Sequence, residues 1–341
     1  MSSLTKSRKD EHIKICLEKD VEFKKTNGFE YVELEHKALP EIERGEINLE
    51  TKFLGKKFSA PLFIEAMTGG TKKGEYINKN LAKAAEALGI GMGVGSQRAM
   101  LEDKKLVKTY YVRDVAPNIF LLGNIGAVQL KTYDFESIFW LVDAIKADGL
   151  AVHLNVAQEL AQKEGDKKWE GVYNDISDLC KKADFPVIVK ETGCGISGKI
   201  AKSLEDAGVK AIDVAGAGGT SWTRVEGYRN KRDMKHIEEW GIPTAFALKD
   251  VLENVKIPVI ASGGIRNGLE VAKALAMGAS LVGIALPLLK PATISWQKVK
   301  TRLEKIIEEL KDVMFLVGAK NIKELQKVRV FYTGGFEYMK S

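Results

Sequence analysis

After residue 58 the chain falls into a repeated beat of a short apolar run, a polar loop and an amphipathic stretch. The apolar runs are PLFIEA (61–66), IGMGVG (90–95), IFLLGN (119–124), LAVHLN (150–155), PVIVKE (186–191), AIDVAG (211–216), PVIASGG (258–264) and LVGIAL (281–286). Several are apolar almost without interruption, as parallel strands covered on both faces should be. Between them INKNLAKAAEAL, YNDISDLCKKA, GKIAKSLEDA and LEVAKALAM carry helical spacing, and QKVKTRLEKIIEELKDVMFLV (297–317) predicts a longer helix. In LEVAKALAM, residues Leu269, Val271, Ala272, Leu275 and Ala276 make one stripe. Eight strands alternating with helices predict an α/β fold, a (β/α)8 TIM barrel; a doubly wound open sheet is the rival. Residues 1–58 stay outside the beat, and NGFEYVELEHKALPEI reads as an extended layer. The expected organisation is an N-terminal extension over 1–58 that contributes to the active site, a barrel over 59–318, and a helical C-terminal tail over 319–341.

Barrel chemistry gathers at the carboxyl ends of the strands. The first end delivers Ala66-Met67-Thr68-Gly69-Gly70, the second Gly95-Ser96-Gln97-Arg98, and the third Gly123-Asn124. The fourth, HLNVAQE (153–159), places an imidazole, two amides and a carboxylate at the mouth of an apolar strand: His153, Asn155, Gln158 and Glu159. His153 and Asn155 alternate onto one side, and burying them unpaired would cost a few kcal/mol each. An ordinary polar strand end is the bland reading of that stretch alone. The fifth end gives Lys190-Glu191-Thr192, the sixth Gly216 to Ser221, the seventh Ser262-Gly263-Gly264-Ile265-Arg266, and the eighth Ala285-Leu286-Pro287. One polar strand end is unremarkable, but eight in a ring make a site. Glycine pairs after the seventh strand let backbone N–H groups approach a phosphate, at the position where many barrels bind one. A phosphate there with Lys190 across the barrel suits flavin mononucleotide, since a cation near the flavin pyrimidine ring favours its anionic reduced form.

Composition changes this picture little. The chain has 341 residues, 45% apolar and 29% charged, enough for a large core, and no apolar run of membrane-spanning length. The formal net charge of +6 is distributed among interleaved acids and bases, as in LEDKKL and TRLEKIIEEL, the pattern of solvated helix faces. No nucleic-acid-binding signature accompanies it, and a small anionic ligand fits the same charge. Three scattered cysteines, Cys16, Cys180 and Cys194, have no metal-type spacing, and the charged start MSSLTKSRKDEHIKIC lacks a signal-peptide core; a cytoplasmic protein is expected. Two motifs compete with the phosphate reading. GCGISG (193–198) matches a dinucleotide fingerprint with Asp213 downstream, and GCGISGKI approaches a P-loop except that Ile200 stands where a hydroxyl must hold magnesium. Both sit inside barrel register, which disfavours them.

Taken in order, SRKDEH (7–12), EAMTGG (65–70), GSQRA (95–99), GNIGA (123–127), HLNVAQE (153–159), VKETG (189–193), AGAGGTSW (215–222) and SGGIR (262–266) closely resemble the motifs of the type 2 isopentenyl diphosphate isomerases. The resemblance runs from about residue 7 to residue 287, and HLN-x-x-QE with GSQR is its specific part. It implies an FMN barrel that interconverts isopentenyl and dimethylallyl diphosphate, needs reduced flavin and Mg2+, takes NADPH as reductant, and assembles as a homo-oligomer, a tetramer or octamer. By motif, Arg8, Lys9, Ser96, Gln97, Arg98, His153 and Asn155 fall where the family holds the substrate diphosphate. Gln158 falls beside the reacting carbons, so that Gln158, His153 and Asn155 form the catalytic set, and Glu159 falls at the metal. Ala66, Met67, Thr68, Ser96, Asn124, Lys190, Thr220, Gly263, Gly264, Arg266, Ala285 and Leu286 fall where it holds FMN. The chain departs from the family at Val156-Ala157 and at Lys163, where a proline is usual at the first and last of these, changes that alter loop stiffness and leave the polar set intact.

The physical requirements agree. A diphosphate wants a cationic pocket, and arginine gives it bidentate contacts. Magnesium takes one or two carboxylates plus substrate phosphates, which a solitary Glu159 supplies. No side chain here is an obvious acid strong enough to protonate an alkene, whereas reduced flavin carries a protonatable ring nitrogen. Arg8 and Lys9, in a segment too charged for a core, are expected to fold over the barrel mouth when diphosphate arrives. The alternative is an FMN oxidoreductase of the hydroxy-acid oxidase type, which needs a His and Arg pair on a carboxylate; of four histidines only His153 ends a strand. A flavin or metabolite sensor would leave the SRK arm and Glu159 without purpose.

Overall fold

The computed structural model describes residues 2–334 and 336, with side chains from residue 8 onward. Ahead of the barrel lie the helix Ser2–Glu18, strand β1 (Val32–Leu34) and the hairpin of β2 (Thr51–Phe53) and β3 (Lys56–Phe58). The eight apolar runs then become β4 (Leu62–Ile64), β5 (Gly91–Gly93), β6 (Leu121–Gly126), β7 (Gly149–His153), β8 (Val187–Lys190), β9 (Ala211–Asp213), β10 (Val259–Ala261) and β11 (Leu281–Ile284). Each pairs in parallel with the next, and β11 returns to pair with β4, closing the barrel. This is the predicted (β/α)8 architecture rather than the open sheet.

The strands occupy only the middles of the apolar runs, because the residues after each one turn outward into the loops that carry function. Helices begin after those loops at side chains that cap them. Thr71 accepts from Gly74 N at 3.0 Å, Asp134 from Ser137 N at 2.7 Å, and Asn267 from Glu270 N at 2.9 Å. Each such cap stabilises its helix by about 1 kcal/mol. The barrel's other end is closed by the β2–β3 hairpin: Phe53 and Phe58 pack with Phe63, Phe120, Leu122 and Ile188 in one apolar cluster. The carboxyl end is therefore the open one. Register brings its residues level, pairing Gly126 with His153, His153 with Lys190, and Lys190 with Asp213.

Two segments differ from the sequence reading. The charged arm is a helix already laid on the barrel, with Ile13 buried and Cys16 and Leu17 packed against the core, not a segment awaiting ligand. The C-terminal stretch holds a short helix, Ile322–Leu325, but then forms strand β12 (Val330–Tyr332) antiparallel to β1, pairing Val32 with Tyr332 and Leu34 with Val330. An extended N-terminal layer has unpaired backbone groups, and the β-branched run VRVFY satisfies them. Among the described residues no helix is long and apolar enough to cross a membrane.

Candidate active site

A cavity of about 240 Å3 opens among the carboxyl ends of the strands. It is lined by Arg8, Lys9, Ala66, Met67, Thr68, Ser96, Arg98, Asn124, His153, Asn155, Gln158, Glu159, Lys190, Thr220, Gly263, Gly264, Arg266, Ala285 and Leu286. Every residue named from the sequence is thus brought to one place except Gln97. Its side chain is fully buried outside the cavity: Oε1 accepts from Asn124 N at 2.7 Å and Nε2 donates to Leu141 O at 2.8 Å. Gln97 is therefore corrected from a substrate contact to a brace between the loop after β5 and strand β6. The loop left backbone groups that needed a partner, and an amide supplies both donor and acceptor.

The N-terminal helix delivers cations to one rim. Lys9 Nζ donates to Ser96 O at 2.6 Å and to Tyr110 Oη at 2.6 Å, and Tyr110 in turn donates to Ser96 O at 2.8 Å. Burial first, then the neighbouring Arg8 charge, brings the Lys9 ammonium down to about 7 against the pull of Glu102. Arg8 Nη1 lies 3.5 Å from Glu164 Oε1, and the Gln162 amide, turned to donate to Glu226, accepts from the same Nη1 at 3.1 Å. Beneath them His12 Nε2 meets Glu226 Oε1 at 2.8 Å and its ring stands edge-on to Trp222. Glu226 is fully buried; burial alone would raise it, but His12 and Arg229 (2.7 Å) hold it below the ordinary carboxylate range. Lys9, His12, Ile13 and Cys16 are spaced as one helix face, and all line the cavity. Sequence reasoning used the first of these as charge and missed His12, Tyr110 and Glu226; helical spacing was the available signal.

Strand β7 ends in His153, whose Nδ1 lies 2.7 Å from Asn124 Oδ1. Burial, followed by the Lys190 and Lys9 charges, lowers its imidazole to about 3, so it is neutral at ordinary pH. Asn155 then starts the helix Val156–Ala161, which sets Asn155, Gln158 and Glu159 on one face. Asn155 Nδ2 donates to Gln158 Oε1 at 3.2 Å and to Glu159 Oε1 at 3.0 Å, and Glu159 Oε2 accepts from Asp166 N at 2.8 Å. Asn155 Oδ1 is buried with no donor. Among the described residues no cluster of three or more His, Cys, Asp or Glu could hold a metal. A cation here would rest on Glu159, with the orphaned Asn155 oxygen beside it and the remaining ligands supplied by substrate oxygens. That is a donor set suited to magnesium, which keeps few protein ligands.

Across the cavity Lys190 Nζ lies 3.5 Å from Glu65 Oε2, 3.5 Å from Asp213 Oδ2 and 2.7 Å from Glu191 O. Burial opposes its charge, but Asp213, Glu65 and Glu191 outweigh that and hold the ammonium above its ordinary range. Glu65 and Asp213 were not recognised as site residues; a lone acid at the end of an apolar strand was the signal. The glycine loops interlock beside them. Gly263 and Gly264 have φ of +107° and +74°, and a Cβ on either would lie 2.2 Å from Gly216 O or 2.3 Å from Gly218 O. Only glycine fits, and the backbone left bare is what a phosphate cradle requires. Arg266 donates to Gly264 O and Gly218 O and pairs with Glu22, which also lines the cavity. The competing GCGISG motif has a different occupant: N–H groups of Thr192, Gly193 and Cys194 all point at the buried Glu191 carboxylate.

Comparison with known proteins agrees with this construction. Residues 137–331 match the family model described as FMN-dependent dehydrogenase. The chain is 50% identical to the isopentenyl-diphosphate delta-isomerase of Pyrococcus abyssi, covering 98% of this chain and 94% of that one. It is 45% identical to the enzyme of the same name from Nostoc, covering 95% of each. Among solved structures, a mandelate oxidase mutant with a monooxide FMN adduct superposes with a TM-score of 0.63 at 18% identity over 90% of both chains. Mandelate oxidase with 3,3-difluoro-2-hydroxy-3-phenylpropionic acid gives 0.63 at 18% identity over 95% of both. These likenesses, under 25% identical, show the fold alone, whereas the sequence relatives match along nearly the whole length of both chains. The chain belongs to the isopentenyl-diphosphate delta-isomerases, in the type 2 form built on the FMN-dependent barrel.

Proposed function

We propose that this chain interconverts isopentenyl and dimethylallyl diphosphate, using reduced FMN and Mg2+, with NADPH as reductant. The observation that carries the reading is the meeting of three features in one cavity. They are a cationic helix face with Arg8 and Lys9, the Asn155–Gln158–Glu159 turn, and a glycine cradle beside Lys190. A hydroxy-acid oxidase has no need of the first two.

Arg8, Arg98 and Lys9 hold the diphosphate, with Ser96 positioning Lys9 through its carbonyl. Arg98 Nε lies 3.3 Å from Glu102 Oε1, and the side chain lines the cavity. His153 completes the polar wall of that pocket, its ring fixed by the 2.7 Å contact of Nδ1 with Asn124 Oδ1. Glu159 would hold Mg2+ for the diphosphate, and Asn155 orients Glu159 and Gln158 together. Gln158 lies by the reacting carbons. Ala66, Met67, Thr68, Asn124, Thr220, Ala285 and Leu286 would enclose the flavin, Gly263 and Gly264 would take its phosphate, and Arg266, paired with Glu22 in the free protein, would join them. Lys190, on the cavity wall, would stabilise negative charge on the pyrimidine ring of a bound flavin. Bound reduced FMN supplies a ring nitrogen that gives a proton to the alkene and takes one back. A His153 imidazole near 3 is too weak a base to take the α-proton of a hydroxy acid at neutral pH, which counts against the oxidase alternative. The resemblance supports a homo-oligomer, tetramer or octamer, and the unpaired Cys16, Cys180 and Cys194 support a cytoplasmic location.

The test is direct. Purified protein loaded with FMN, reduced anaerobically and given Mg2+ should convert isopentenyl diphosphate to dimethylallyl diphosphate. Flavin reduction by 2-hydroxy acids with no alkene isomerisation would transfer the chain to the oxidase reading.

A further inference from the structure

Two buried carboxylates share the single Lys190 ammonium, and they are not equivalent. Asp213 Oδ1 accepts from Ser262 Oγ at 2.6 Å and from Ala215 N at 3.3 Å. Glu65 has neither: both of its oxygens are buried without a hydrogen-bond partner. Its place is nonetheless built. Strand β11 puts Gly283 opposite, where a Cβ would lie 2.2 Å from Glu65 Oε1. Like charges buried together around one cation cannot both be ionised without large cost, so one carboxylate holds a proton. Asp213 already has two donors. Glu65 is the acid, and burial first, then Asp213, push its carboxyl up to about 8 against Lys190. The charged groups that face it are Lys190 from β8 and Asp213 from β9. Beyond them, His153 on β7 is neutral and Glu191 is turned into its own N–H nest.

We propose that Glu65 is the proton-holding partner of cofactor reduction: beside Lys190 and Asp213, its carboxylate binds a proton when negative charge is added above Lys190 and releases it when that charge leaves. The proposal rests on the reading that FMN lies with its pyrimidine ring over Lys190. Two electrons from a reduced mediator dye and one proton enter the flavin, giving its anionic reduced form; a second proton from solvent forms the Glu65 O–H bond. With Glu65 ionised the floor carries a net negative charge that opposes the reduced anion, and with Glu65 protonated that charge is gone. Glu65 is thus a positioning residue acting through Lys190.

The measurement is a redox titration of FMN-loaded protein across pH 6–10. Wild type should take up one proton per two electrons below about pH 8 and two above it, so that the slope of potential against pH doubles. Glu65→Gln, which keeps the shape and fixes the neutral state, should take up one throughout. Wild type with one proton per two electrons at every pH, or Glu65→Gln with the wild-type break, overturns the proposal while leaving the flavin reading intact. Protein that takes up no FMN overturns both. Should Glu65→Gln fail to fold, the reduced-minus-oxidised infrared spectrum of wild type at pH 9 decides alone. A new protonated-carboxyl band on reduction is the expected result, and its absence contradicts the assignment.

Discussion

Lys9 offers the sharpest handle on the diphosphate pocket, because its charge can be removed with pH alone. Its Nζ sits 2.6 Å from both Ser96 O and Tyr110 Oη, and burial, then Arg8, bring it down to about 7 with Glu102 opposing. With that value roughly one free enzyme in ten carries the Lys9 charge at pH 8, and about one in a hundred at pH 9. An arriving diphosphate restores the charge, so binding takes up a proton above pH 7. The sign follows from linkage: the bound state holds more protons, and the apparent substrate constant rises about tenfold per pH unit until the bound Lys9 itself titrates. Substrate ionisation works in the opposite direction, since a more negative diphosphate binds a cationic pocket more tightly. Tyr110 does not contribute, because burial drives its phenol above the ordinary range. The assay is substrate saturation of pre-reduced, Mg2+-loaded enzyme from pH 6 to 9 at constant ionic strength. Lys9→Met should bind about 10- to 100-fold more weakly at pH 6, the loss of a charge-assisted contact of about 1.5–3 kcal/mol, and should lose the slope. A substrate constant that is flat or falls with pH, or a slope that survives in Lys9→Met, would refute the reasoning.

Three further outcomes are expected. Gly264→Ala puts a Cβ 2.3 Å from Gly218 O at φ +74°, so about 1–2 kcal/mol of left-handed strain joins about 1–3 kcal/mol of overpacking. Flavin absorbance per chain should fall sharply while far-ultraviolet circular dichroism keeps its helical signal. Glu159→Gln removes a ligand charge without changing shape, and its activity should drop and respond weakly to added Mg2+; a wild-type magnesium titration would remove Glu159 from the metal. Arg8→Ala should raise the apparent substrate constant about tenfold or more with FMN content unchanged, since Arg8 pairs with Glu164 and Gln162 rather than with the glycine cradle. Normal saturation in that variant would return Arg8 to a structural role.

The barrel was legible because its strands are covered on both faces, which turns β8 into VIVK and β11 into LVGI, runs that few other folds produce. The glycine loops were legible for a related reason: a backbone crossing at 2.2–2.3 Å tolerates no side chain, so the residue type announces the geometry. The arm was not. Ser2–Glu18 buries only Ile13 fully among its described side chains, and its helix is held by long-range contacts of Lys9 and His12, which leave no apolar stripe to read. Gln97 was misplaced because a motif ranks polar residues alike, whereas the chain needed one of them to satisfy the backbone of Asn124. Glu65 and Asp213 were overlooked for the opposite reason. Each is a single acid in an apolar strand, and only barrel closure shows that β4 and β9 bring both to the Lys190 of β8.

The central claim is that the cofactor moves a proton and not net electrons, while Arg8, Lys9 and Glu159 hold the diphosphate. Counting turnovers against reductant tests it most directly. FMN-loaded protein is reduced anaerobically by one equivalent of dithionite per flavin, freed of excess, and given isopentenyl diphosphate with Mg2+. The account predicts many equivalents of dimethylallyl diphosphate per flavin, with the flavin still reduced at the end. A product reduced by two electrons relative to the substrate, formed at one equivalent per flavin with the flavin reoxidised in step, would contradict it.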